Sequence, residues 1–113
     1  MELQYSETAR GARVIKLKGN LDTAGTGQIE TKFAGYCSGD NVRVIVDVAE
    51  VEFLASIGIR LLLLNAKSVG KQGGSMVLVA PTPEVETVLE LTGILPVIPA
   101  YASIEAAEAA LQA

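Results

Sequence analysis

Apolar positions are densest between Val42 and Gly70, and their spacing changes within that stretch. Val42, Val44, Ile45 and Val46 form a β-branched run, the composition of a strand buried on both faces. Asp47 to Phe53 is too polar to continue it and reads as a connection. Ser56-Ile57-Gly58 follows, and Ile59 to Val69 has the apolar content of a buried helix. At 100° per residue, Ile59, Leu62, Leu63, Ala66 and Val69 cover one side, enough to pack on a sheet, and Arg60, Lys67 and Lys71 line a second stripe. Ile57, Leu61 and Leu64 are apolar beyond what one packed face requires.

Upstream, Glu2 to Glu7 and Ala12 to Lys18 read as strands joined by Thr8-Ala9-Arg10-Gly11, an antiparallel hairpin at a sheet edge. Ile15 and Leu17 alternate with Lys16 and Lys18, so one face is buried and the other wet. Gly19 and Asn20 end the second strand. Asp22 or Thr23 caps a helix from Thr23 to Tyr36 whose Ile29 and Phe33 lie one turn apart on the core side. Gly25 and Gly27 weaken its first turn, by fraying or by admitting a close approach to the backbone. Downstream, Lys71 to Gly74 is a turn and Ser75 to Ala80 a buried strand. Thr82 caps a helix with Pro83 at its first position, Val85, Val88 and Leu89 on one face, and Gly93 past its end. Pro96 to Ala100 is a short strand that Pro99 confines to an edge. Ser103 caps a last helix, Ile104 to Leu111, which lies on the sheet.

The order β-β-α-β-α-β-α-β-α predicts an α/β fold, a mostly parallel sheet with an antiparallel N-terminal edge hairpin. Functional loops of such sheets gather at the carboxyl ends of the strands. Here those are Gly19 to Asp22, Glu52 to Ser56 and Ala80 to Pro83, expected to form one continuous surface.

Length and composition narrow the function. The 113 residues make one domain, 1–113, and with half of them hydrophobic but no Trp, three Tyr and two Phe, its core is aliphatic. The net charge of −4 and nine scattered basic residues give no footprint for nucleic acid. With no His in the chain, the commonest general base and metal ligand is missing, and neither a metal nor a cofactor site is expected. Cys37 is the one cysteine, read as a small semi-buried side chain. No apolar run reaches the roughly 18 residues of a membrane span, and the N-terminus lacks a signal-peptide pattern, so a soluble cytoplasmic protein that binds no membrane is expected.

Catalytic motifs fail in turn. Gly70 to Ser75 holds the letters of a P-loop in the wrong order and leads from helix into strand, whereas a P-loop leads from strand into helix. Gly25-Thr26-Gly27 lacks the third glycine and the acid of a dinucleotide fingerprint. Ser56 sits in Leu-Ala-Ser-Ile-Gly rather than a nucleophile elbow and has no His as base. The chain reads as a non-enzyme.

Ser56 at the threshold of a helix has two readings. It is an N-cap, worth about 1 kcal/mol, or it is a place where phosphate is added and removed. A phosphate would bring about −1.5 to −2 charges to the positive end of the helix, where exposed amides tolerate them. The surplus residues Ile57, Leu61 and Leu64, edged by Arg60, are either covered by a neighbouring helix or form a docking patch beside it.

Asp47 to Leu63 (DVAEVEFLASIGIRLLL) resembles the signature of STAS-domain anti-sigma factor antagonists, and Gly19-Asn20-Leu21-Asp22 is similar to the family's upstream G-x-L-D element. The tail from Pro83 to Leu111, with VLELTGILP at Val88 to Pro96 and ASIEAA at Ala102 to Ala107, carries the likeness across nearly the whole chain. The resemblance implies a single STAS-like domain that works by partner switching. The unmodified antagonist would bind an anti-sigma factor that is also a GHKL-type serine kinase, freeing the sigma factor. Phosphorylation of Ser56 would reverse this, and a PP2C-type phosphatase would remove the phosphate. By the same resemblance Gly58 lets the partner approach and Asp22 is a polar contact, with Thr23, Ala55, Ile57, Arg60, Leu61 and Leu64 completing the interface. Many members carry Asp before the serine and Ser or Thr after it, where this chain has Ala55 and Ile57, leaving Ser56 the only acceptor in the motif. The alternative is an unphosphorylated structural subunit of a stress-signalling scaffold or lipid-transport complex, with Ser56 as a cap only.

Overall fold

The computed structural model describes residues 1–112; the expected domain's last residue, Ala113, lies outside the described residues. The chain runs β1 (Glu2–Glu7), β2 (Arg13–Leu21), α1 (Thr23–Tyr36), β3 (Arg43–Leu54), α2 (Ser56–Lys71), β4 (Ser75–Val79), α3 (Pro83–Thr92), β5 (Ala100–Tyr101) and α4 (Ile104–Gln112). The strands form one sheet in the order β1-β2-β3-β4-β5, with β1 antiparallel to β2 and every other pair parallel. This is the α/β sheet with one antiparallel edge that the pattern predicts.

The period of 2 along each strand sorts the core onto the two faces. Ile15, Leu17, Val44, Val46, Met76 and Leu78 pack with Ile29 and Phe33 of α1, Leu62 and Val69 of α2, and Val85 and Leu89 of α3. Val14, Ile45, Val77 and Val79 point the other way and meet only Ala107 of α4 and its neighbours. Three helices therefore cover one face and one covers part of the other. The β-branched run at Val44 to Val46 is fully buried because its strand lies between both layers.

Three boundaries differ from the sequence reading. Strand β3 does not stop at Val46 but continues through the polar stretch to Leu54. Its partner β2 also runs past Lys18 to Leu21, pairing Lys18 with Glu50, Gly19 with Val51 and Leu21 with Leu54, with register shifts on the way. Those shifts hide the alternation: Val48, Val51 and Leu54 are buried while Ala49, Glu50, Glu52 and Phe53 face outward. Lys16 Nζ lies 3.0 Å from Glu50 on that outer side. The third difference is at the opposite edge, where the strand expected over Pro96 to Ala100 is reduced to Ala100–Tyr101. Ile94 to Ile98 coils instead, with Val97 N and Ile98 N both donating to Ile94 O at 2.9 Å. Pro99 has no N–H with which to extend the ladder toward Met76.

Both expected ends of α3 are present. Thr82 Oγ1 accepts from Val85 N at 3.3 Å, and Gly93 closes the helix in the left-handed region at φ 70. Ser103 Oγ caps α4 by accepting from Ala106 N at 3.1 Å.

Candidate functional site

The carboxyl ends of β2 and β3 bring the site together. Asp22 caps α1, its Oδ1 accepting from Gly25 N at 2.8 Å, which settles the choice between Asp22 and Thr23; Thr23 is the exposed first residue of the helix. Gly25 is buried, and a Cβ there would lie 1.9 Å from Asn20 O, so of the two readings of this glycine the close approach holds, made by the chain's own β2 end. Gly27 faces open space. Beside this loop, Ala55 N donates to Leu21 O at 3.0 Å, joining the start of α2 to the end of β2.

Ser56 is not the cap of α2. Ala55 holds that position, extended at φ −93 and ψ 169, and its carbonyl accepts from Gly58 N and Ile59 N at 3.0 and 3.1 Å. Ser56 is the first helical residue, exposed, and no side chain caps the terminus. The helix starts three residues before the apolar run because the bond from Ala55 to Leu21 and the packing of Gly58 fix its first turn. No acidic residue lies in that turn, so the positive end of the helix dipole has no intrahelical counter-charge.

Gly58, expected to admit a partner, is buried. The space left by its missing side chain is filled from within: a Cβ there would sit 2.8 Å from Leu21 Cβ, 2.9 Å from Leu21 O and 3.0 Å from Leu54 Cδ1. The docking patch is corrected in the same direction. Leu61 is 7% exposed and belongs to the core, whereas Ile57 and Leu64 are 38% and 55% exposed. The neighbouring helix that covers Leu61 is α1, which leaves Ile57 and Leu64 uncovered. These two line a groove of about 320 Å³ between α1 and α2 with Arg60, the edge of Leu61, and Thr26 and Glu30 of α1.

Thr26 and Glu30 were not anticipated. They are one turn apart on α1, a spacing that puts both on one face, but only the fold shows that this face meets the first turns of α2. The third loop, expected to join a continuous surface, stands apart: Ala80 and Pro81 line a separate hollow with Glu86, Ala100, Tyr101 and Ala102. The register explains this: β4 ends at Val79 opposite Asp47, whereas β3 runs on to Leu54 opposite Leu21, so the β4 end is set back from the ends of β2 and β3. Cys37 is buried, and that burial pushes its thiol up to about 12. Among the described residues no cluster of His, Cys, Asp and Glu could hold a metal ion, and no helix is long and apolar enough to cross a membrane.

The STAS domain model matches residues 5–107, and the chain belongs to the STAS domain family. A Bordetella bronchiseptica protein that carries the name anti-sigma factor antagonist BtrV is 32% identical over 102 residues, covering 90% of this chain and 88% of its own. Among solved structures, an anti-sigma factor antagonist domain protein of Planctomyces limnophilus shares the fold with a TM-score of 0.88, 24% identity and 98% coverage of both chains. The anti-sigma factor antagonist SpoIIAA in its unphosphorylated form is 25% identical with a TM-score of 0.79, covering 99% of this chain and 98% of its own. SpoIIAA of Bacillus is also known in a phosphorylated form, similar at a TM-score of 0.67 and 25% identity over 96% of this chain and 99% of its own.

Proposed function

We propose that this chain is an anti-sigma factor antagonist that switches partners through phosphorylation of Ser56. The observation that carries the reading is the Ser56 side chain itself, exposed on the first turn of α2 and released from capping by Ala55. A hydroxyl with no structural duty can be esterified without loss of the fold. Similarity to SpoIIAA, which exists in both unphosphorylated and phosphorylated forms, supports the same reading.

In the unmodified state Ile57 and Leu64 offer apolar contact to an anti-sigma factor, Arg60 gives a cation, and Asp22, Thr23 and Ala55 form the rim, with Gly58 and Leu61 holding the surface from beneath. The partner is a serine kinase of the GHKL type. It transfers the γ-phosphoryl group of ATP to Ser56 Oγ and releases ADP. The phosphate adds about −1.5 to −2 charges beside the groove, where the free amides at the start of α2 and the Arg60 guanidinium accommodate them. The docked face then has a different charge and shape, and the partner leaves to hold its sigma factor again. A PP2C-type phosphatase restores the hydroxyl by hydrolysis to inorganic phosphate. The protein supplies a substrate hydroxyl and a binding face in this cycle, not a catalytic group.

Incubation with the cognate anti-sigma factor kinase and ATP, followed by mass spectrometry of the peptide containing Ser56, tests the reading. One phosphate on Ser56 is expected, with Ser56→Asp binding the kinase more weakly than Ser56→Ala. An unmodified Ser56 under conditions where the kinase is active overturns the phosphoacceptor role and leaves the structural-subunit alternative.

A further inference from the structure

The groove between α1 and α2 contains a polar group with no partner among the described residues. Thr26 is 3% exposed, and its Oγ1 is buried with no hydrogen bond. Its backbone is satisfied, Thr26 N donating to Asp22 O at 2.9 Å. A helical threonine ordinarily turns its hydroxyl back onto a carbonyl one turn earlier. Two others in this chain do so: Thr87 Oγ1 donates to Pro83 O at 2.9 Å and Thr92 Oγ1 to Leu89 O at 3.1 Å. Both lie nearer to water than Thr26 and need the bond less, while the more deeply buried hydroxyl goes without.

Around Thr26 the groove is apolar at Ile57 and Leu64 and charged at its two sides, with Arg60 on α2 and Glu30 on α1. We infer that Thr26 is a specificity-determining anchor, a hydroxyl completed only by the docked partner. The occupant is a segment of the anti-sigma factor with an apolar side chain on Ile57 and Leu64, an acidic neighbour facing Arg60 and a basic one facing Glu30. A hydrogen-bonding group on that segment reaches Thr26 Oγ1. The assignment of the partner rests on the function proposed above; the unsatisfied hydroxyl does not. Because Oγ1 is shielded from water in the free protein, its bond forms only with a segment that presses the exposed Ile57, Arg60 and Leu64 side chains aside to reach it. A looser partner gains nothing there.

Thr26→Val, close in shape and lacking the hydroxyl, and Thr26→Ser, which retains it, test the inference in two measurements. In thermal unfolding of the free protein, Thr26→Val is expected to match or exceed the wild type, since it removes an unsatisfied buried group. In titration calorimetry with the kinase that modifies Ser56, Thr26→Val is expected to bind about three- to tenfold more weakly, the size of one net hydrogen bond. Thr26→Ser should bind within about twofold of wild type. Arg60→Glu should also weaken binding, and more so at low salt. A lower midpoint for Thr26→Val with an unchanged midpoint for Thr26→Ser would mean that the hydroxyl is satisfied inside the fold, which overturns the inference. Wild-type affinity in Thr26→Val overturns it as well, while phosphorylation of Ser56 stands. If the wild type neither binds the kinase nor is modified, the proposed function fails first and the partner assignment with it, and the thermal measurement still decides whether Thr26 is satisfied internally.

Discussion

Gly58→Ala tests how α2 is seated against the sheet. The added methyl has no free volume: its Cβ would lie 2.8 Å from Leu21 Cβ, 2.9 Å from the Leu21 carbonyl and 3.0 Å from Leu54 Cδ1. Two of these three atoms belong to Leu21, one of them backbone, and the same carbonyl accepts the Ala55 N–H that anchors the start of α2. Relief therefore requires the first turn of α2 to move away from β2, not one side chain to change rotamer. Overpacking of this kind costs about 1–3 kcal/mol, while replacing a helical glycine by alanine returns at most about 1 kcal/mol. With a backbone atom among the close contacts the cost falls in the upper part of that range, about 2–3 kcal/mol, and the overpacking wins for a net loss of about 1–2 kcal/mol. In a domain of this size that lowers the thermal midpoint by about 5–10 °C. Gly70→Ala in the same helix is the control, since nothing lies within 4 Å of its added Cβ. There only the propensity acts, and a gain of about 0.5–1 kcal/mol is expected. Urea unfolding of the three proteins, compared at their midpoints with the slopes checked for constancy, measures both changes. A Gly58→Ala variant as stable as Gly70→Ala would refute the steric argument and free Gly58 for another role.

The uncapped start of α2 makes Ser56→Ala nearly neutral, within about 0.5 kcal/mol, and Ala55→Asp stabilising by about 1 kcal/mol; urea midpoints in the opposite order would restore Ser56 as the cap. Cys37 should resist an aromatic disulfide reagent at pH 8 in the folded protein and react on unfolding. Its ordinary value is 9.0 and burial pushes it up to about 12 in the fold, so its contribution to stability is whole below pH 9 and declines as pH rises from there toward 12. Rapid labelling of native protein would contradict this burial. At the β5 edge, Leu78 N donates to Pro99 O at 2.9 Å and Ala80 N to Tyr101 O at 2.8 Å, while Met76 lies beyond the first pair of the β4–β5 ladder, Leu78 with Ala100. Hydrogen exchange should therefore be faster at Met76 than at Leu78, and equal protection would show that the edge is covered.

The order of elements, the parallel sheet with its antiparallel edge and the capping of α3 and α4 are legible in the sequence, because these depend on periodicity and on side chains adjacent in the chain. The sequence also singled out the turn around Ser56. The polar half of β3 was not legible, since register shifts against β2 break the alternation by which a one-sided strand is recognised. Nor was the cap of α2: a serine and an alanine at consecutive positions give no sign of which one the helix starts after, and the tie from Ala55 to Leu21 settled it across the sheet. Tertiary structure alone decided that Leu61 is core while Ile57 and Leu64 remain exposed, because that depends on where α1 lies. The same packing brought Thr26 and Glu30 to the groove. The local chemistry around Ser56 is thus written along the chain, whereas the groove beside it is made by two helices that the sequence separates and the sheet brings together.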